Sequence, residues 1–343
     1  MTLALTGRAA GALGLLAGFG LDQLLGDPRR GHPVAGFGSL AAALERRTWA
    51  DRRLPGVAHV GVLVAGAAGI GVLGERLARD SPGLRLLLTA AGTWAVLGGR
   101  SLQREAGTLA GQLGADDLAA ARRQIRNLVG RDPSTLDADQ LARACVESVA
   151  ENTADAVVAP LFWGALAGLP GLLGYRAVNT LDAMVGHRSP RYRRFGWAAA
   201  RLDDVANWLP ARACGLLTVA LAPLVGGRPA EAWQAWRRDA RQHPSPNAGV
   251  VEATAAGALG VRLGGRNVYG GVVEDRGVLG RGRTVGVADI APAARLSLLV
   301  GVASAVLATG LRAATLRDQH QMAYGPQIRA SRAVWCWILR GTA

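Results

Sequence analysis

The sequence predicts an all-α, polytopic helical integral membrane protein, with about five spans, re-entrant or broken helices, and polar helices on the cytoplasmic side. Three observations predict it. Half of the 343 residues are hydrophobic and the mean hydropathy is positive, +0.18. Charged residues make up only 19%, while Gly is abundant at 47 residues; small residues let helices approach closely in lipid. The apolar residues gather into stretches parted by arginine-bearing connections.

Residues 3–25, interrupted by Arg8 and Asp22, form the first expected span. Residues 57–74 and 84–99 form the second and third, both near the lower length for crossing ~30 Å of hydrocarbon. Residues 205–226 and 291–311 form the last two. A polar, helix-rich segment lies between the third span and residue 155, with a turn at Asp132–Pro133 and Asp137 or Asp139 as the cap of the next helix. Residues 156–174 are apolar but hold Pro160 and a Leu169-Pro170-Gly171 turn. They are expected to re-enter or form a short broken hairpin, with surrounding protein to satisfy the backbone. A polar stretch, 175–204, follows, and 228–290 is a mostly soluble connection. Residues 1–312 are expected to be one membrane-embedded domain, and 313–343 a variable tail whose Trp335 and Trp337 suit a membrane interface.

Orientation follows from arginine. The connection after the first span carries Arg29, Arg30, Arg46, Arg47, Arg52 and Arg53, whereas the next carries Arg76, Arg79 and Arg85. Positive-inside logic places the first connection and the 100–155 segment in the cytoplasm. The N-terminal apolar stretch reads as a span, since it runs into an acidic motif and not a cleavage site.

Several function classes are disfavoured. The net charge is +14, but its arginines are spread over every polar connection, which suits lipid and anionic substrates better than nucleic acid. The chain contains no Lys, so Schiff-base and Walker-A lysine chemistry are excluded. Phosphate must be held by Arg, backbone N–H groups or a metal. Cys145, Cys214 and Cys336 are far apart, and the five His have no zinc spacing.

Chemistry gathers where polar motifs meet apolar runs. In "ESVAENTADAVVAPLFW", Glu147, Glu151 and Asp155 recur at i, i+4 and i+8. Like charges so placed repel, and a Mg²⁺ ion or a cationic group would offset them; Asn152 sits on a neighbouring face. "RLDDVANWLPAR" supplies Arg201, Asp203, Asp204 and Asn207. "YRAVNTLDAMVGHR" supplies Arg176, Asn179, Asp182, His187 and Arg188, and "DQLLGDPRRGHPVAGFG" supplies Asp22, Asp27 and His32. Together they predict one polar cavity, with carboxylates for a metal and arginines for phosphate. "HPSPNAGVVEATAAGALG" adds Ser245 and Asn247, the latter as a helix cap whose backbone N–H groups favour an anion.

These motifs, in this order over about residues 15–310, resemble the CobD/CbiB family of cobalamin biosynthesis, membrane-embedded adenosylcobinamide-phosphate synthases. The resemblance implies a ligase that joins adenosylcobyric acid to (R)-1-amino-2-propanol O-2-phosphate, or a close amino-alcohol phosphate, with ATP and Mg²⁺. The corrinoid is substrate, membrane lipid surrounds the chain, other late cobalamin-pathway enzymes are candidate partners, and no nucleic acid is expected. Arg176 and Arg188 stand where the family pattern carries Lys, and Ala183 where it carries Ser; charge recognition then replaces lysine chemistry.

On this reading Glu147, Glu151, Asp155, Asp182, Asp203 and Asp204 are the catalytic candidates, the first three also the Mg²⁺ candidates. Arg176, Arg188 and Arg201 would take phosphate; Asn152, Asn179, Asn207 and Asn247 would orient substrate, with Asp27, His32, His187 and Ser245 alongside. The alternatives are a non-catalytic, AmpE-like membrane sensor, which would not need every cluster intact, and a corrinoid-binding scaffold, which an assay of the purified protein separates from the enzyme.

Overall fold

The computed structural model describes residues 7–338 apart from 29, 30, 131, 188, 270 and 271, with side chains described except at 8, 266–274 and 315–338. It is a polytopic helical membrane protein. The helices are α1 (Gly7–Leu25), α2 (Pro33–Thr48), α3 (Arg53–Leu77), α4 (Pro82–Val96), α5 (Gly99–Gly114), α6 (Leu118–Gln124) and α7 (Ala138–Thr153), then α8 (Ala159–Leu181), α9 (Trp197–Ala206), α10 (Trp208–Leu221), α11 (Pro229–Asp239), α12 (Ala248–Leu259) and α13 (Ile290–Ile338). Among the described residues four segments are long and apolar enough to cross a membrane: Arg53–Leu77, Ala138–Gly186, Trp208–Val225 and Val287–Ala314.

The expected third span is different. Its helix, α4, has 15 residues, a rise of only ~22 Å at 1.5 Å per residue. It lies along α1 instead: a Cβ at Gly18 would run into the Thr93 side chain and come within 2.6 Å of the Ala90 carbonyl. That close approach of backbones is the usual packing of helices in lipid.

The segment Ala138–Gly186 does not run straight. Gly168, at φ 65° and ψ −144°, breaks α8, a conformation that essentially only Gly adopts. The chain then doubles back. The Tyr175 hydroxyl lies 3.1 Å from the Asp155 carbonyl oxygen, whereas a continuous helix would part those residues by ~30 Å. The two arms form the broken hairpin expected of residues 156–174. Its tip is fixed by Glu75 of α3, which accepts from Leu169 N–H at 3.2 Å and from Arg312 of α13 at 3.3 Å.

Each arm carries a π-helical turn at its base, Ala154–Val158 on entry and Asp182–Gly186 on exit. A π turn carries an extra residue and leaves carbonyls for other donors. The Tyr175 hydroxyl lies 3.1 Å from Asp155 O, and Ala156 O accepts from Gly98 N–H at 3.2 Å.

Two layers result. One packs Leu15, Phe19, Leu97, Leu161, Leu172 and Ala305 from α1, the end of α4, α8 and α13. The other is a compact polar-side unit with its own core, including Leu109, Ile125, Leu141, Val250 and Leu263. Within it α7 starts on a capping box: Asp137 accepts from Gln140 N–H at 2.8 Å, and Gln140 accepts from Asp137 N–H at 3.0 Å. The unit also holds a small sheet that the all-α expectation lacked. Its strands are β1 (Val261–Tyr269), β2 (Val272–Leu279) and β3 (Arg283–Thr284), in the order β2-β1-β3. Helix α13 continues through the expected tail to Ile338, and the side chains of Trp335 and Trp337 lie outside the described residues.

Candidate active site

A polar cavity of about 220 Å³ opens at the base of the hairpin. Glu151 reaches it from the last turn of α7, Asp155 and Asp182 from the two π turns, and Asp203 and Asp204 from α9. Asn207, at the joint of α9 and α10, lines it with Ser245 and Asn247 from the turn before α12. Three of the sequence clusters and the Ser245-to-Asn247 turn therefore meet, although up to 96 residues separate Glu151 from Asn247.

Asp203 is the best defined acid. Asn207 Nδ2 donates to Asp203 Oδ2 at 3.0 Å, and Asn179 Nδ2 lies 3.5 Å from Oδ1. Asn207 is itself held, because the Tyr175 hydroxyl donates to its Oδ1 at 2.8 Å. Burial pushes the Asp203 carboxyl up to about 6. The two amides oppose that rise, and Asp204 and Glu151 add to it by charge repulsion. Asp204 pairs with Arg201 at 3.5 Å on the rim, and its carbonyl accepts from Asn247 Nδ2 at 2.8 Å.

Asn247 does not cap α12 with its side chain. Its amide is taken by Asp204 O and by Arg212, which donates to Asn247 Oδ1 at 2.7 Å. Ser245 Oγ meets Ala248 N–H instead, at 3.2 Å.

Other expected residues lie elsewhere. Glu147 is buried in the polar-side core, accepting from Gly264 N–H at 2.9 Å with Arg143 3.7 Å away. The reason is helical drift: eight residues at 100° each leave i and i+8 about 80° apart, and the π turn adds to it. Glu147, Glu151 and Asp155 thus do not share one face, and among the described residues no three acidic, His or Cys side chains converge as metal ligands. Asn152 turns back to Ser148 at 3.0 Å. Arg176 lies behind the cavity, 3.5 Å from Asn179 Oδ1 and in electrostatic reach of Asp155 and Asp27. His32 Nδ1 caps α2 through Val34 N–H, while Nε2 lies 3.6 Å from Asp27. His187 packs edge-on against Tyr192. Asp22 accepts from Arg100 N–H at 3.2 Å. Arg188 lies outside the described residues.

Two contributors escaped sequence reasoning. Tyr175 meets Asn207, 32 residues further on, only once the hairpin closes, and Arg212 meets Asn247, 35 residues further on, only through the 243–247 turn.

The fold and cavity define a helical membrane protein with an acid-lined polar chamber at the base of a broken hairpin. The comparisons agree on what that is. The family described as CobD/Cbib protein matches residues 15–297. "Cobalamin biosynthesis protein CobD" of Mycobacterium tuberculosis (strain ATCC 25618 / H37Rv) is 55% identical over 302 residues, 88% of this chain and 95% of that protein. Proteins of the same name from Geobacter metallireducens and Pelobacter propionicus are 47% and 44% identical, over 76% of this chain in each case and 84% and 82% of their own lengths. No solved structure matches. The chain belongs to the CobD/CbiB family.

Proposed function

We propose that the protein is an adenosylcobinamide-phosphate synthase acting in cobalamin biosynthesis. It would condense a carboxylate of adenosylcobyric acid with the amine of (R)-1-amino-2-propanol O-2-phosphate and consume ATP. The observation that carries this reading is the meeting of Glu151, Asp155, Asp182, Asp203 and Asp204 around one small chamber in a chain of this family.

Size and charge support the same assignment of substrates. A chamber of about 220 Å³ suits an amino-alcohol phosphate and excludes a corrinoid macrocycle, which would present only its reacting carboxylate at the mouth. The carboxylates draw in the ammonium. Asp203 is ionised above about pH 6 and positioned by Asn207, so it is the candidate base that takes the ammonium proton. The freed amine then attacks an acyl carbon activated by phosphorylation, and inorganic phosphate leaves. Arg201 on the rim and Arg176 behind the cavity would stabilise phosphate charge.

The all-oxygen donor set fits Mg²⁺, which takes one or two carboxylates and completes its shell with water and phosphate oxygens. Glu151 and Asp155, without Glu147, would hold it, and it would neutralise phosphate charge. We place the chamber on the cytoplasmic side of the cytoplasmic membrane, as the arginine distribution suggests.

The test is amide formation by detergent-purified protein given adenosylcobyric acid, aminopropanol phosphate, ATP and Mg²⁺, followed by mass spectrometry. ATP-dependent product is expected. Folded, corrinoid-binding protein that makes none would replace the synthase with a corrinoid scaffold.

A further inference from the structure

A second cavity lies directly behind the chamber wall. It is a cleft of about 680 Å³ between α10, α11 and the 243–247 turn, lined by Arg212, Trp236, Arg237, Arg241, His243 and Pro246 among others. Nothing in the reading above uses it.

Its charge is uncompensated. Arg237 and Arg241 are exposed and four residues apart, on α11 and the 3₁₀ turn that extends it, and no carboxylate pairs with either among the described residues. Neighbouring arginines behave differently: Arg238 is clamped by Asp239 at 2.6 and 2.7 Å, and Arg228 pairs with Glu231 at 3.4 Å. Arg212 is fixed by neutral acceptors only, Asn247 Oδ1 at 2.7 Å, Trp208 O at 3.0 Å and Pro246 O at 3.1 Å. Its side chain is positioned while its positive charge stays available. Trp236 adds an aromatic wall.

The two cavities share one turn. His243, Pro244 and Pro246 face the cleft, whereas Ser245 and Asn247 face the acid chamber. Arg212 lines the cleft and bonds the Asn247 that lines the chamber. His243 stiffens the turn, its Nδ1 accepting from Ser245 N–H at 3.0 Å. An anion in the cleft would therefore sit one turn away from the carboxylates.

We infer that this basic cleft seats the phosphates of a nucleoside triphosphate, with Arg212, Arg237 and Arg241 on the phosphates and Trp236 beside the base. The inference rests on the ATP-dependent reading above and gives that reading a nucleotide site. Three guanidiniums that no described carboxylate neutralises suit a polyphosphate, and the volume falls within the range of small-molecule ligand sites. The γ-phosphoryl would move to the corrinoid carboxylate oxygen presented at the chamber mouth, the electron pair of the broken P–O bond leaving with ADP. The amine would then displace inorganic phosphate from the chamber side.

The same arginines could hold the phosphate of an anionic lipid headgroup, so the experiment separates the two. Radiolabelled ATP is titrated against the full chain in detergent without corrinoid, for wild type, R237E/R241E, the milder R237Q/R241Q, and R123E, an exposed arginine outside both cavities. Folding is checked by gel filtration and corrinoid binding; if the charge reversal does not fold, the Gln pair decides. The double reversal is expected to raise the ATP Kd at least about tenfold, the Gln pair less but in the same direction. R123E should leave it unchanged, and aminopropanol phosphate affinity should stay within about twofold in the double variants. An unchanged ATP Kd in the double variants, with wild type both binding ATP and forming amide, overturns the cleft and leaves the synthase standing. Wild type that binds no ATP and forms amide without it brings down both. Phosphatidylglycerol retained by wild type in native mass spectrometry and lost from R237E/R241E, with ATP affinity unchanged, assigns the cleft to lipid and overturns the inference.

Discussion

The Tyr175 hydroxyl and Asn207 Oδ1 are 2.8 Å apart, and through that bond the returning arm of the hairpin positions the amide that holds Asp203. The same hydroxyl lies 3.1 Å from Asp155 O. Tyr175→Phe keeps the ring and removes both contacts. It should cost ~1 kcal/mol of stability and lower kcat more than it changes KM for the amino alcohol, because Asn207 would no longer be fixed. Equal loss in KM and kcat/KM would mean that the hydroxyl serves binding alone.

Asp203 should affect activity and stability in opposite ways. Its carboxyl is raised from 3.8 to about 6, so the folded state binds the proton more tightly than the unfolded chain. The resulting stabilisation is fully present below about pH 4 and is lost as pH rises through about 6. Activity that needs the carboxylate rises over the same interval. Asp203→Asn should therefore raise the thermal midpoint at pH 8 relative to wild type, shrink that advantage towards pH 4, and abolish the acid limb of the rate profile along with most turnover. A midpoint gain that does not vary with pH would show that titration is not its source.

Glu147 and Glu151 are four residues apart and should part company in the assay. Glu151→Gln removes a chamber carboxylate and is expected to lower kcat by ~10²-fold. Glu147→Gln weakens the acceptor of Gly264 N–H in the polar-side core. It is expected to cost ~1–3 kcal/mol of stability and to leave turnover of the folded fraction within about threefold. Comparable kcat losses in the two variants would place Glu147 in the chemistry after all.

The hairpin tip gives a structural prediction. A Cβ at Gly168 would meet Glu75 and Arg312, and the positive φ already held there disfavours any L side chain. Gly168→Ala should cost ~2 kcal/mol or more and reduce the yield of folded protein. Glu75→Gln keeps an acceptor for Leu169 N–H but loses the charge opposite Arg312, so it should be the milder change. Thermal midpoints in one detergent rank the two.

Much of this was legible in the sequence, for identifiable reasons. The apolar runs, the break near Leu169-Pro170-Gly171 and the gathering of polar motifs each rest on local composition, which one chain displays. The fate of Glu147 was not legible, because it turns on helical drift and on a π turn that leaves no mark in residue type. Asn247 looked like a cap because Asn before a helix usually is one, yet Arg212 and Asp204, distant in sequence, claim its amide. The sheet at 261–284 was hidden by glycines that suit a loop equally well. Residues 84–99 looked like a span because hydropathy measures apolarity and not the length of helix that the turn at Leu97–Gly98 permits.

The two π turns make the chain's length count as much as its composition. A π turn is what an α-helix becomes when it accommodates one surplus residue. Excising a residue from 154–158 would heal the helix and withdraw the local widening that leaves the Asp155 and Ala156 carbonyls to Tyr175 and Gly98. Relatives should therefore tolerate exchanges along these arms far better than gaps, and the spacing from Glu151 to Asp182 should be held fixed even where the letters between them drift.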